Sequence, residues 1–253
     1  MGISSKITGL IQKSGQTLLD GLFPPQCPCC QDSVSSPGTL CANCWGKITF
    51  ISKPTCYGCG LPFEYDMEAD ALCGHCLRAR PSFEQAISVL RYDENSRDMI
   101  LAFKHGDQTD QTISFAKWMA RAGQELFESN PCLVPVPLHP KRLLKRRFNQ
   151  SALLAREIAR QTGLEVDTLS LKRIRHTDSQ GNKNLKARTR NVKGAFEITP
   201  KGREILSGRH IVLIDDVYTT GATLEECAKT LLRAGATSAS ALTLGRVVRA
   251  SVV

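Results

Sequence analysis

Short apolar runs alternate with amphipathic stripes through the second two-thirds of the chain, and their periods predict the elements. Ala86 to Tyr92 forms an apolar run of strand length. Ile113, Ala116, Met119, Ala122 and Leu126 recur at helical spacing, which predicts a helix from Ile113 to Leu126. Leu133 to Val136 is a short buried strand bounded by prolines, and Ser151 to Gln161 is a helix stopped at Gly163. His210 to Ile214 is a further strand. A helix from Leu224 to Ala234, with Gly235 at its end, and a strand from Ala239 to Leu244 complete the series. Strands separated by helices require right-handed crossovers, so the expected class is α/β with a mainly parallel sheet flanked by helices. Before this region, Ile3, Ile7, Leu10, Ile11, Leu18 and Leu22 fall on one helical face, predicting an amphipathic helix over residues 1–24 that packs on its own protein.

Between these parts the periodicity fails and cysteine takes over. Nine of the 11 cysteines lie between Cys27 and Cys76, in a stretch rich in Pro and Gly that buries little core of its own. Eight of them form four Cys-x-x-Cys pairs: Cys27/Cys30, Cys41/Cys44, Cys56/Cys59 and Cys73/Cys76. A two-residue gap lets two thiolates point inward from one turn, and two such turns complete a tetrahedral site. Eight thiolates therefore suit two zinc ions, with no position left open for catalysis, so the expected role of the metal is structural. A disulfide framework and a redox pair are the competing readings; absence of an export signal and the number of pairs weigh against them. Sequential sites need shorter loops than interleaved ones and are preferred, with interleaving left open. Cys29 and His75 are read as neighbours of the metal rather than ligands. The organisation is thus a helix over 1–24, a cysteine module over 25–80 and an α/β domain over 81–253.

Composition adds direction. The formal net charge is +9 with 42% hydrophobic residues, which describes a globular protein with an anionic partner, a phosphate-rich metabolite or nucleic acid, or simply a solvated basic face. No run of about 18 apolar residues occurs, and the start has neither the apolar core of a secretion signal nor a myristoylation pattern, so a cytoplasmic protein without a transmembrane segment is expected.

The sharpest chemical signal is Val212-Leu213-Ile214-Asp215-Asp216-Val217-Tyr218-Thr219-Thr220-Gly221-Ala222-Thr223. A strand ends in two carboxylates, and a hydroxyl- and glycine-rich turn then opens a helix. Free backbone N–H groups and the dipole at that helix start favour an anion, and Gly221 permits close approach. Carboxylates repel phosphate, so Asp215 and Asp216 must serve the other end of the ligand: a ribose diol, or a contact through Mg²⁺. A ribose 5-phosphate group at the carboxyl end of a parallel strand satisfies both halves. A loop cap followed by an ordinary helix start is the bland alternative, and a Gly-Lys-Thr nucleotide site is absent. Lys141, Arg142, Lys145, Arg146 and Arg147 form a basic run that serves pyrophosphate, a DNA backbone or only solvent. Lys104, His105 and His139 are further candidate contacts, each with an equally plain structural reading. Aromatic residues do not interleave with the basic run, so no stacking platform for single strands is evident.

These twelve residues resemble the fingerprint of type I phosphoribosyltransferases. More widely, the cysteine pairs, Phe103-Lys104-His105, Val134 to His139, Arg147-Phe148-Asn149-Gln150, Gln180, Arg188-x-x-Asn191-Val192 and Gly194-Ala195-Phe196 resemble the ComF/GntX family in the right order over nearly the whole chain. The resemblance implies an N-terminal double zinc ribbon and a domain that binds phosphoribosyl pyrophosphate with Mg²⁺. It implies Asp215 and Asp216 at the ribose hydroxyls and beside the developing anomeric cation, and Thr219, Thr220, Gly221, Ala222 and Thr223 around the 5-phosphate. It implies Pro137, Leu138 and His139 in the loop facing pyrophosphate and a hood over residues 175–190; Lys104 and Arg147 are the further candidates to reach the same group. The family pattern has glycine where this chain has Arg147, and a positive φ at that glycine would force a different backbone here. Two functions follow. One is a phosphoribosyltransferase of unspecified acceptor; the other is a protein of natural competence or DNA utilisation that handles single-stranded DNA with a competence helicase and keeps the ligand site as a regulatory or vestigial feature.

Overall fold

A computed structural model describes residues 24–36, 38–105, 109–176, 190 and 192–248. The helix expected over 1–24 and most of the expected hood fall outside these residues. The chain divides into two compact units, Met1–Lys47 and Ile48–Val253.

In the first unit, a knuckle at Cys27 is closed by the Gln31 N–H donating to the Cys27 carbonyl at 2.9 Å, with Gln31 at φ 66°. A short helix, α1 (Ala42–Trp45), carries Cys44, with Cys41 at its N-terminal cap. The second unit repeats this pattern. Gly60, at φ 68°, donates its N–H to the Cys56 carbonyl at 2.8 Å, and α2 (Gly74–Arg78) carries the last cysteine.

The rest of the second unit holds β1 (Ala86–Arg91), α3 (Glu94–His105), α4 (Thr112–Ala122), β2 (Cys132–Pro135), α5 (Pro140–Arg146), α6 (Gln150–Thr162), β3 (Leu171–Arg173), β4 (Phe196–Ile198), α7 (Pro200–Leu206), β5 (His210–Tyr218), α8 (Ala222–Arg233) and β6 (Ser238–Arg246). Strands run β1-β6-β5-β2, every pair parallel, while β3 and β4 form a separate antiparallel pair. Helices α4 and α6 pack together, and α6 covers β2 and β5; α8 packs against β6 and β4. Ile211 to Ile214, Leu242 and Leu244 are fully buried, as expected of a parallel sheet covered by helices.

The structure revises several sequence readings. The strand predicted to stop at Ile214 continues to Tyr218, because β6 pairs with it as far as Tyr218–Arg246; the two aspartates therefore sit within the strand. The helix predicted to reach Leu126 ends at Ala122, and a 3₁₀ turn (Gln124–Phe127) follows Gly123, where a Cβ would lie 2.8 Å from Leu242. Ile113 is 52% exposed, so the buried stripe runs instead through Thr112, Phe115, Ala116 and Met119. Helix α3 was not anticipated. Asp93 starts it by accepting the Asn95 and Ser96 N–H groups at 3.1 and 3.2 Å.

Candidate functional site

The cysteines gather as Cys27, Cys30, Cys41 and Cys44 in the first unit and Cys56, Cys59, Cys73 and Cys76 in the second, the sulfurs of each group all within 4.8 Å of one another. This is the sequential arrangement, not the interleaved one; Cys29 and His75 belong to neither group. Four thiolates around zinc at about 2.3 Å place sulfurs about 3.8 Å apart. The separations of 3.6 Å for Cys30–Cys41 and 3.7 Å for Cys59–Cys73 match that spacing. Each knuckle also directs a backbone N–H at a sulfur: Cys41 to Cys27 at 3.3 Å, and Cys73 to Cys56 at 3.2 Å. Hydrogen bonding from Cys59, with the Cys73 N–H, lowers the Cys56 thiol, while the hydrogen bond to Cys56 and burial raise Cys59, and burial and the neighbouring sulfurs raise Cys76. The donor set fits structural zinc.

The acidic pair lies in the carboxyl-terminal half of β5. Asp215 accepts the Ser151 hydroxyl at 3.0 Å and the Asp216 N–H at 2.9 Å. Burial, and then the charge of Asp216, push the Asp215 carboxyl up to about 7, despite the hydrogen bonds and Lys104 acting the other way. Lys104 Nζ forms an ion pair with Asp216 at 3.1 Å, both side chains largely shielded. Arg173, buried and stacked 5.3 Å from the Phe196 ring centre, adds a second cation whose charge acts on Asp215.

The turn after β5 then opens α8. Gly221 stands at its N-terminal cap with φ 77°, and a Cβ there would collide with the Tyr218 hydroxyl. Only glycine meets both conditions. Thr220 Oγ1 accepts the Ala222 N–H at 3.4 Å, while Thr219 is exposed, and Ala222 and Thr223 are half-buried in the first turn.

The turn from Pro137 to His139 leaves β2, which neighbours β5. His139 caps α5, its Nδ1 accepting the Lys141 N–H at 3.3 Å, and its ring meets that of His176 edge-on at 5.1 Å. Partial burial and then the charge of His176 lower its pKa, so it is neutral at neutral pH. Residues 137–139 and Arg147 line a cavity of about 730 Å³ shared with Arg173.

Arg147 adopts φ 66° and ψ −27° at the end of α5. The expectation that a residue other than glycine would force a different backbone is thus corrected. Arginine takes the left-handed conformation itself, at a cost of about 1–2 kcal/mol.

Three residues that follow were not assigned roles from sequence. Asn149 caps α6 and donates through Nδ2 to the Val136 carbonyl at 3.1 Å; Gln150 donates to the Lys104 carbonyl at 2.7 Å; Ser151 holds Asp215. One helix start therefore positions the turn, the lysine and the first aspartate. Three consecutive short polar residues ahead of an apolar helical stripe were the available signal.

No helix among the described residues is long and apolar enough to cross a membrane. A double zinc ribbon domain profile matches residues 18–77, and a phosphoribosyl transferase domain profile matches residues 149–247. The chain is 32% identical over 203 residues to competence protein F of Haemophilus influenzae, covering 78% of this chain and 85% of that protein. It is 30% identical to the DNA utilization protein YhgH of Escherichia coli, covering 83% of this chain and 91% of that one. Identity to competence protein ComFC of Bacillus subtilis is also 30%, over 82% and 84% of the two chains.

Proposed function

Because the chain belongs to the ComF family of competence and DNA-utilisation proteins, with a phosphoribosyltransferase-type fold and a double zinc ribbon, we propose that it binds phosphoribosyl pyrophosphate at the carboxyl ends of β2 and β5 and serves natural competence or DNA utilisation. The observation that carries this reading is the sequence of contacts along β5. Asp215 and Asp216 are held by Ser151 and Lys104, and five residues later Gly221 opens a helix that no bulkier residue could start.

In this reading the two carboxylates accept the ribose hydroxyls and face the anomeric carbon as pyrophosphate leaves, when positive charge builds there. The turn from Thr219 to Thr223 grips the 5-phosphate through N–H and hydroxyl groups. Pro137 to His139, Lys104 and Arg147 line the pyrophosphate side. The hard oxygen donors of the acidic pair suit Mg²⁺; Asp215 and Asp216 would hold it, and it would supply positive charge to offset pyrophosphate. In this reading the protein works in the cytoplasm, a location supported by the preference of thiolate clusters for a reducing compartment.

Calorimetry with phosphoribosyl pyrophosphate and Mg²⁺ tests the assignment: Asp215→Asn with Asp216→Asn should abolish binding in a folded protein. Unchanged affinity would refute it.

A second reading, binding of single-stranded DNA with a competence helicase as partner, draws on α5. Its seven residues include Lys141, Arg142, Lys145 and Arg146, and none is buried. Neutralising these four should flatten the salt dependence of strand binding by about three in log–log slope; an unaltered slope removes α5 from that role.

A further inference from the structure

The second cysteine group does not stand apart from the sugar-phosphate site. Cys56, Cys59, Cys73 and Cys76 share one buried cluster with Phe83, Tyr218 and Leu224. Arg246 lies between the sulfurs and the phosphate turn. It is 6% exposed, its Nη2 donates to Cys59 Sγ at 3.2 Å, and its guanidinium covers the Tyr218 ring at 4.1 Å. Arg246 on β6 and Tyr218 on β5 are direct partners across the sheet. The Tyr218 hydroxyl, in turn, occupies the space that a Cβ on Gly221 would need. From the other side, His75 and Cys76 of α2, with Ala79 at its C-terminal cap, wall a cavity of about 230 Å³ with Thr220, Gly221 and Ala222. Ser82, just beyond α2, donates through N–H and hydroxyl to the Glu225 carboxylate in the first turn of α8, both at 2.8 Å.

The charges explain why this contact depends on metal. A zinc tetrathiolate carries a net charge of −2, and a guanidinium donating to one sulfur offsets part of it. Nε and Nη1 of Arg246 have no hydrogen-bond partner among the described residues. Removing the metal removes what holds Cys59 Sγ against the Arg246 guanidinium, and Arg246, buried with two N–H groups unpartnered among the described residues, escapes that costly state by moving. Movement uncovers Tyr218 and with it the support beneath Gly221.

We propose that zinc at Cys56, Cys59, Cys73 and Cys76 and a sugar phosphate at the Thr219–Thr223 turn bind cooperatively, with Arg246 and Tyr218 as the positioning residues that link the two sites. The inference rests on the reading of that turn as a 5-phosphate site. It gives the zinc ribbon a part in ligand binding: loss of zinc from this one cluster weakens the sugar-phosphate site.

The test uses the full chain loaded with zinc, ribose 5-phosphate as the probe, and transfer of zinc to a colorimetric chelator. A Cys30→Ser, Cys44→Ser variant assigns the two release phases. Saturating ribose 5-phosphate should slow release from the second site about tenfold and leave the first unchanged, and loss of the second zinc should weaken ribose 5-phosphate by the same factor, as linkage requires. Arg246→Met should speed release from the second site and remove the protection, while Arg246→Lys restores part of it. If calorimetry finds that ribose 5-phosphate binds the zinc-loaded protein, yet both release rates ignore it, the coupling is overturned. If ribose 5-phosphate does not bind the zinc-loaded protein at all, the sugar-phosphate reading itself falls, and the coupling with it.

Discussion

Asp215 should make the ligand-free protein less stable as pH rises, and Asp215→Asn should relieve it. The folded protein holds this carboxyl near 7, whereas its ordinary value is 3.8. A carboxyl raised on folding favours the protonated form, so its contribution is fully present below 3.8 and is lost as pH climbs through 7. With these two values, the raised carboxyl costs roughly 2 kcal/mol of stability at pH 5 and roughly 4 kcal/mol at pH 8. Asparagine keeps the oxygen that accepts from Ser151 and from the Asp216 N–H, and it carries no charge at any pH. The stability of Asp215→Asn relative to the parent should therefore rise by up to roughly 3 kcal/mol between pH 5 and pH 8, and by at least about 1 kcal/mol once water penetration is allowed for. Urea unfolding of both proteins at both pH values, saturated with zinc throughout, measures this double difference and cancels titrations that the two proteins share. A gap that stays within 0.5 kcal/mol, or closes, would show that the carboxyl is not desolvated as described. The same substitution should weaken sugar-phosphate binding, so the residue trades stability for function.

Other consequences concern single positions. Arg147→Gly should stabilise the protein by about 1 kcal/mol, or 2–4 °C in Tm, by relieving the left-handed arginine; a lower Tm would mean that the arginine contacts outweigh the strain. Gly221→Ala should cost 2 kcal/mol or more and eliminate 5-phosphate binding, because Tyr218 is pinned between Arg246 and Phe83 and cannot yield; wild-type binding by a folded Gly221→Ala protein contradicts this. Ser151→Ala leaves Asp215 with one hydrogen bond fewer and should lower phosphoribosyl pyrophosphate affinity about tenfold while α6 remains capped by Asn149. Strong chelation should remove two equivalents of zinc and unfold the cysteine-bearing segments; one equivalent or none would refute the two-tetrad assignment.

The division between what was legible along the chain and what was not follows the range of the interactions. Local chemistry was readable: pairs of cysteines with two residues between them have few uses other than a shared metal, and an apolar run ending in Asp215-Asp216 before a glycine turn names a strand, an acidic end and a helix start. Period and capping residues gave the class of the fold for the same reason. The length of β5 was not readable, because Asp215 to Tyr218 stay extended only by pairing with β6 as far as Arg246. Nor was the tie from Ser151 to Asp215, 64 residues away, or the approach of Arg246 to Cys59 across 187. Each such contact joins segments that are brought together only when the sheet assembles. Spacing along a chain specifies which groups share a turn; packing of the parallel sheet decides which distant groups share a charge.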